Sequence, residues 1–180
     1  MIFTGKFEVP YFIVPLPEHL EIKESILKLI QEDESESNSD NGQNIYKTDY
    51  FMPDKPRTYF SIIQPHLLKL LKTLPSIVDY QNIVTQRTGM WYQQYRKLDH
   101  HCFHKHDAAW ASVYYVELDE KSPGTQFKGF FTTENISPEV KEGDVIVFPG
   151  WLDHRSPPNL SSKRKTVIAS NYFYSYQMKK

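Results

Sequence analysis

The sequence predicts a mostly β protein, an antiparallel sandwich or barrel buttressed by N-terminal helices. Three observations lead there. Apolar residues at helical spacing are confined to the first eighty positions. Five runs rich in β-branched and aromatic residues follow beyond residue 80, and turn-forming tracts separate them at close intervals. The 180 residues are 39% hydrophobic and 14% aromatic, with 12 Tyr, 11 Phe and 3 Trp, so a few large rings can fill the core.

Residues 1–15 read as extended, with Phe7, Val9, Tyr11 and Ile13 alternating until Pro15 and Pro17 close the run. From Glu18 to Gln31, Leu20, Ile22, Ile26, Leu27, Leu29 and Ile30 recur at helical spacing, and Glu18 and Glu21 suit the positive end of a helix dipole. The tract 32–44 has no apolar residue and a strong acidic bias, which predicts a solvated loop. A second helix is expected near 64–73 from Ile63, Leu67, Leu68, Leu70 and Leu71. Strands are expected over 83–97, 110–119, 127–132, 144–149 and 166–176. No repeat or linker divides the chain, so one domain over 1–180 is expected. Residues 1–80 support it, and 81–180 carry the site on strand ends and loops.

Composition narrows the function. The 21 basic and 22 acidic side chains leave a net charge of −1, which removes any general electrostatic drive toward nucleic acid or an anionic membrane. No stretch reaches the roughly 18 apolar residues of a spanning helix, and no signal-peptide pattern is evident, so a cytoplasmic protein is expected. The single cysteine, Cys102, excludes an internal disulfide framework and a Cys-rich zinc site. Histidine is the odd component: four of the seven, His100, His101, His104 and His106, fall within seven residues.

On an extended segment, His104 and His106 point to the same side and can chelate one ion, because side chains alternate with period two. The only histidine further along is His154, after GDVIVFPGWLDH. Taken alone, the cluster fits a solvated polar loop or a non-specific metal-binding tract better than a built ligand pair. Ten residues beyond His154, Arg164 and Thr166 share one strand face. A guanidinium fork matches a carboxylate bidentately and a threonine hydroxyl can add a bond, although the KRK run also suits a surface charge cluster.

Four segments in order, WYQQYRKLDHH, HKHDAAWASVYYVEL, GDVIVFPGWLDHRSPPN and RKTVIASNYFY, resemble the Fe(II)/2-oxoglutarate-dependent oxygenases. The similarity is strongest to the short prolyl-hydroxylase-like members of bacteriophages and marine bacteria. It covers about residues 85–176, while the N-terminal half matches only in KTDYF and the two helices. The resemblance implies a double-stranded β-helix (jelly-roll or cupin-like) in which three side chains hold Fe(II), 2-oxoglutarate chelates the metal and O2 takes the last position. His104 then corresponds to the first ligand and His154 to the distal one. Arg164 partners the distal carboxylate of the cosubstrate, and Thr166 takes the place of the small hydroxyl residue beside it. Tyr95, on one strand face with Trp91 and Gln93, and Tyr115 are candidates for phenol contacts to that carboxylate, and Asn171 for closing the site. Whether Arg164 or Lys165 faces the cosubstrate stays open.

One position departs from the family. Most relatives carry a carboxylate two residues after the first histidine, where this chain has His106. Either three neutral histidines bind the metal, or Asp107 replaces His106 through a bulge. The i, i+2 spacing favours His106. Iron with three imidazoles carries +2, which a 2-oxoglutarate dianion neutralises. His100 and His101 remain reserve ligands.

The implied reaction is hydroxylation of an unactivated C–H bond, such as that of a peptidyl proline, on a peptide, protein or small molecule. Trp91, Trp110, Trp151 and Arg155 lie near the expected mouth. Two other classes stay open: a three-histidine cupin-like metalloenzyme that does not use 2-oxoglutarate, and an inactive β-helix binding module.

Overall fold

The computed structural model describes residues 9–33, 35–39, 42–74, 83–129 and 134–176. Its elements are β1 (Phe12–Pro15), α1 (His19–Glu32), β2 (Glu36–Asn38), β3 (Ile45–Thr48), α2 (Phe60–Leu71), β4 (Ile83–Tyr95), β5 (His101–His104), β6 (Trp110–Glu117), β7 (Gln126–Phe127), β8 (Asp144–Pro149), β9 (His154–Ser156) and β10 (Lys165–Tyr176). Seven strands form an antiparallel sheet in the order β1-β8-β6-β10-β4-β3-β2, and three form a second, β5-β9-β7. This is the double-stranded β-helix with flanking helices that the sequence predicts.

Both helices form because each buries one apolar stripe. Ile26 and Ile30 of α1 and Ile63, Leu67, Leu70 and Leu71 of α2 pack on one face of the large sheet, against Met90, Tyr92, Tyr114, Val145, Val147, Ile168 and Tyr172. Alternation sends the intervening strand residues to the opposite face. There Tyr95, Tyr115, Phe148 and Val167 meet Phe127 and Leu152 in a second cluster, and the site adjoins that layer.

Some elements differ from expectation. α2 starts at Phe60, earlier than its apolar run implies, and contains Pro65. Burial of Tyr59 and Ile63 outweighs the backbone bond that Pro65 cannot make. The acidic tract is not all loop: β2 lies within it and pairs with β3, Glu36 opposite Thr48 and Asn38 opposite Ile45. As an edge strand it is held by backbone bonds and keeps its side chains largely in water, so it needs no apolar residue. The strand expected over 127–132 is the two-residue β7, with residues 130–133 outside the described residues, as is Phe7. No described helix is long and apolar enough to cross a membrane.

Candidate metal and cosubstrate site

His104 on β5 and His154 on β9 are register partners, so both rings leave the small sheet on the same side. His106 follows where the chain has left β5, its N–H donating to the Gly150 carbonyl at 2.8 Å. Its ring stacks with Trp91 (centroids 5.5 Å, 18°) and with His154 (4.9 Å, 24°). His104, His106 and His154 each bring one ligand nitrogen to within 4.8 Å of the others. Asp107 is exposed and stands outside this group.

The hydrogen bonds of the three rings suit a divalent cation. Nδ1 of His104 lies 2.9 Å from the Cys102 carbonyl, that of His154 2.8 Å from the Leu152 carbonyl, and that of His106 2.6 Å from Asn171 Oδ1. Such oxygens only accept, so each Nδ1 carries the proton and each Nε2 keeps its lone pair. Nε2 of His106 and Nε2 of His154 are 3.1 Å apart, two lone pairs in contact with no proton between them. Two metal–nitrogen bonds of about 2.1 Å meeting near a right angle span about 3 Å, so one ion resolves that repulsion. Burial pushes His154 down to about 2 and His106 to about 4, each helped by its histidine neighbours, and lowers His104 as well. The rings are therefore neutral at pH 7, the form that binds metal.

His101 joins the cluster, beyond the reserve place expected for it. Between two paired positions β5 advances from His101 to His104 and β9 only from Ser156 to His154. That bulge turns His101 onto the same face, where it stacks on His104 at 4.0 Å and its Nδ1 lies 3.4 Å from Gln93 Nε2. Burial, followed by the other histidines, pushes it down to about 3. His100 turns instead toward the Gly42 and Leu98 carbonyls.

Beside the imidazoles a small cavity of about 40 Å³ runs between the sheets. Its wall includes Tyr95, Tyr115, Thr125, Ser156 and Lys165, and none of its described residues is acidic. Lys165 is fully buried, and its Nζ donates to the Pro123 carbonyl at 2.6 Å and to Ser156 Oγ at 3.0 Å. That burial lowers its pKa to about 7. Tyr95 donates its hydroxyl to Gln93 Oε1 at 2.8 Å, and the Tyr115 hydroxyl meets Thr125 Oγ1 at 2.8 Å.

Arg164 and Thr166 are not in this cavity, which corrects the sequence expectation. They do share a side, but it is the one turned away from the cavity. Glu117 receives the Arg164 guanidinium through both carboxylate oxygens, at 2.8 and 2.9 Å, and a bond from the Thr166 hydroxyl. Lys165, opposite Tyr95 across β10 and β4, takes the inward position. Period two ties Arg164 to Thr166 without saying which face is inner.

Outward from the imidazoles a wider cavity of about 410 Å³ opens, with Tyr50, Phe51 and Trp91 as its aromatic wall and Asn38, Gln93 and Asn171 among its polar residues. Tyr50 packs edge-on against Trp91 at 5.0 Å and against Phe51 at 5.1 Å. Buried Asp49 anchors this rim. It accepts hydrogen bonds from the Tyr59 hydroxyl at 2.6 Å and from the Tyr92 N–H at 2.9 Å, and pairs ionically with Arg57, whose Nε lies 2.8 Å away. The KTDYF segment was the available signal, since β3 pairs it with β4 beside Gln93 and Gln94. Arg155 lines the inner cavity and bonds Gln126, whereas Trp110 packs against Phe12 with the helix-side cluster. Trp151 is 45% exposed.

Residues 89–171 match the family model described as "Putative 2OG-Fe(II) oxygenase". No curated protein sequence matches the chain. Among solved structures, HygX from Streptomyces hygroscopicus, with nickel, 2-oxoglutarate and hygromycin B bound, is similar in fold. It has a TM-score of 0.68 at 10% identity over 92% of this chain and 83% of that one. The non-heme alpha ketoglutarate dependent epimerase SnoN from nogalamycin biosynthesis gives 0.66 at 12% identity over 94% and 82%. A prolyl hydroxylase from Trichoplax adhaerens, in complex with a hypoxia inducible factor oxygen degradation domain peptide fragment, gives 0.62 at 13% over 91% and 83%.

Proposed function

The chain carries the fold and the sequence signature of the Fe(II)/2-oxoglutarate-dependent oxygenases, and from that premise we propose that it hydroxylates an unactivated C–H bond, such as that of a peptidyl proline. The observation that carries this reading is the convergence of three imidazoles, each with Nδ1 occupied by an oxygen acceptor, beside a buried lysine in a cavity whose described wall is free of carboxylates.

In this reading His104, His106 and His154 hold Fe(II), and Asp107 stays in solvent. Once bound, the metal with O2 supplies the oxidising power, coupling decarboxylation of 2-oxoglutarate to succinate and CO2 with hydroxylation of the substrate. The three ligands add no charge, so the site attracts a dianion. Lys165 pairs with the distal carboxylate of that dianion, and Ser156, Tyr95 and the Tyr115–Thr125 pair offer it hydrogen bonds. The buried pocket keeps water from the cosubstrate. Trp91, Tyr50 and Phe51 face the substrate and hold an apolar ring or chain near the metal, with Asn38 and Gln93 within reach of an amide.

The test is to supply Fe(II), O2 and labelled 2-oxoglutarate and to follow labelled succinate. Expected is turnover that stops on chelation and falls to background in Lys165→Met, with a proline-containing peptide gaining one oxygen atom by mass spectrometry. Metal binding without any 2-oxoglutarate turnover would leave the cupin-like reading in its place.

A further inference from the structure

We propose that Asn171 is a positioning residue that makes His106 a metal ligand. Its side-chain oxygen locks the ring in the Nδ1–H form, with Nε2 turned toward the ion. The inference rests on the reading of His106 as the third ligand.

The three histidines are not held alike. Nδ1 of His104 and of His154 is bonded to the carbonyl two residues earlier in its own chain segment, Cys102 and Leu152. The equivalent carbonyl for His106 would be that of His104, but the chain has left β5 by then. Its Nδ1 is bonded instead to Asn171 Oδ1, at 2.6 Å, from the far side of the site. The backbone supplies the bond in two cases and a distant side chain supplies it in the third.

β10 delivers that side chain. Lys165, Val167 and Ala169 face the cavities, and Asn171 is next on the same side. It lies opposite Gly89 on β4, and the pairing then slips, with Tyr172 opposite Arg87. The kink falls at the end of the inner row, and the residue facing Asn171 has no side chain to occupy its acceptor. Trp91, stacked on His106 at 18°, constrains the plane of the ring. Stacking alone leaves a flipped ring equally well covered, and only a hydrogen bond distinguishes its two nitrogens. An amide oxygen also supplies the acceptor without adding charge, so the site remains attractive to a dianion.

The experiment titrates apo protein with Co(II) and with anaerobic Fe(II), comparing wild type with His106→Ala, Asn171→Leu, Asn171→Ala and Asn171→Asp. Apo melting curves accompany each variant, and 15N NMR of the folded apo proteins reads the His106 tautomer. Expected is a loss of metal affinity of about 10–100-fold in Asn171→Leu and Asn171→Ala, the usual cost of an outer-shell partner. Asn171→Asp, which keeps the acceptor, returns to near wild type, and wild type shows the Nδ1–H form, which declines in Asn171→Leu. If His106→Ala loses the metal while the Leu and Ala variants bind as wild type, Asn171 does not position the ligand. A weak Asn171→Asp, or an Nε2–H ring in wild type, overturns the proposal too. If His106→Ala binds metal as wild type does, the three-histidine reading itself fails.

Discussion

His104 and His154 face one another as register partners across β5 and β9, their ring centroids 4.3 Å apart. Local carbonyls orient both rings, so two-thirds of the proposed ligand set is built by backbone geometry before any metal arrives. His104→Ala or His154→Ala should lower Fe(II) affinity by more than the roughly 10–100-fold that an outer-shell loss costs. Each apo variant should still unfold cooperatively, because the ring removed, buried at His154 and half-buried at His104, is a polar group that is costly to desolvate. Anaerobic metal titration with a thermal melt checks both.

Lys165 should make cosubstrate binding and stability depend on pH in opposite ways. Its folded pKa of about 7 lies below the ordinary 10.5 because the amine is buried. The charged form therefore costs stability in full below about pH 7, and the cost fades as pH rises toward 10.5. Lys165→Met should accordingly stabilise the apo protein most below pH 7 and progressively less above it, as read by urea unfolding. The wild-type protein must take up a proton to bind the dianion above pH 7, so 2-oxoglutarate affinity should fall by up to about tenfold per pH unit there. Affinity flat in pH would contradict the role given to Lys165.

Arg164→Ala should leave 2-oxoglutarate affinity within about twofold. Its guanidinium is spent on Glu117 at a part-exposed position, so the loss of stability should be at most about 1 kcal/mol. Calorimetric titration with 2-oxoglutarate, run beside Lys165→Met, separates the two adjacent cations.

Asp49 holds the aromatic rim through two donors, the buried Tyr59 hydroxyl and the Tyr92 N–H, and through an ion pair with Arg57. Asp49→Ala strands those donors and an unpaired Arg57, and should destabilise the fold by about 3–5 kcal/mol, measured by chemical denaturation. Asp49→Asn keeps part of the bonding and should cost less. Because the clamp positions Tyr50 and Phe51 rather than the inner cavity, the milder variant should raise the KM for the C–H substrate more than that for 2-oxoglutarate.

Much of this was legible before the coordinates. The long strands announce themselves by β-branched and aromatic runs, and the spacing from His104 through His106 to His154 anticipates their convergence. Three features were not legible, each for a physical reason. The tract SSKRKT has no apolar residue before Val167 to fix the parity of β10, so Arg164 and Lys165 could not be told apart. A bulge breaks period two between His101 and His104, hiding the fourth imidazole. The rim formed by Tyr50 and Phe51 depends on β3 meeting β4 across more than forty intervening residues, and a four-residue strand leaves little periodic signal.

In the proposed site three neutral histidines present a metal to 2-oxoglutarate, and Lys165 grips its far end. The decisive measurement is anaerobic titration of the Fe(II)-loaded protein with 2-oxoglutarate, followed by visible absorption. Expected is a saturable metal-to-ligand charge-transfer band at one cosubstrate per chain, absent in His154→Ala, needing far more 2-oxoglutarate in Lys165→Met, and unchanged in Arg164→Ala. A wild-type spectrum that stays silent at saturating metal would contradict it.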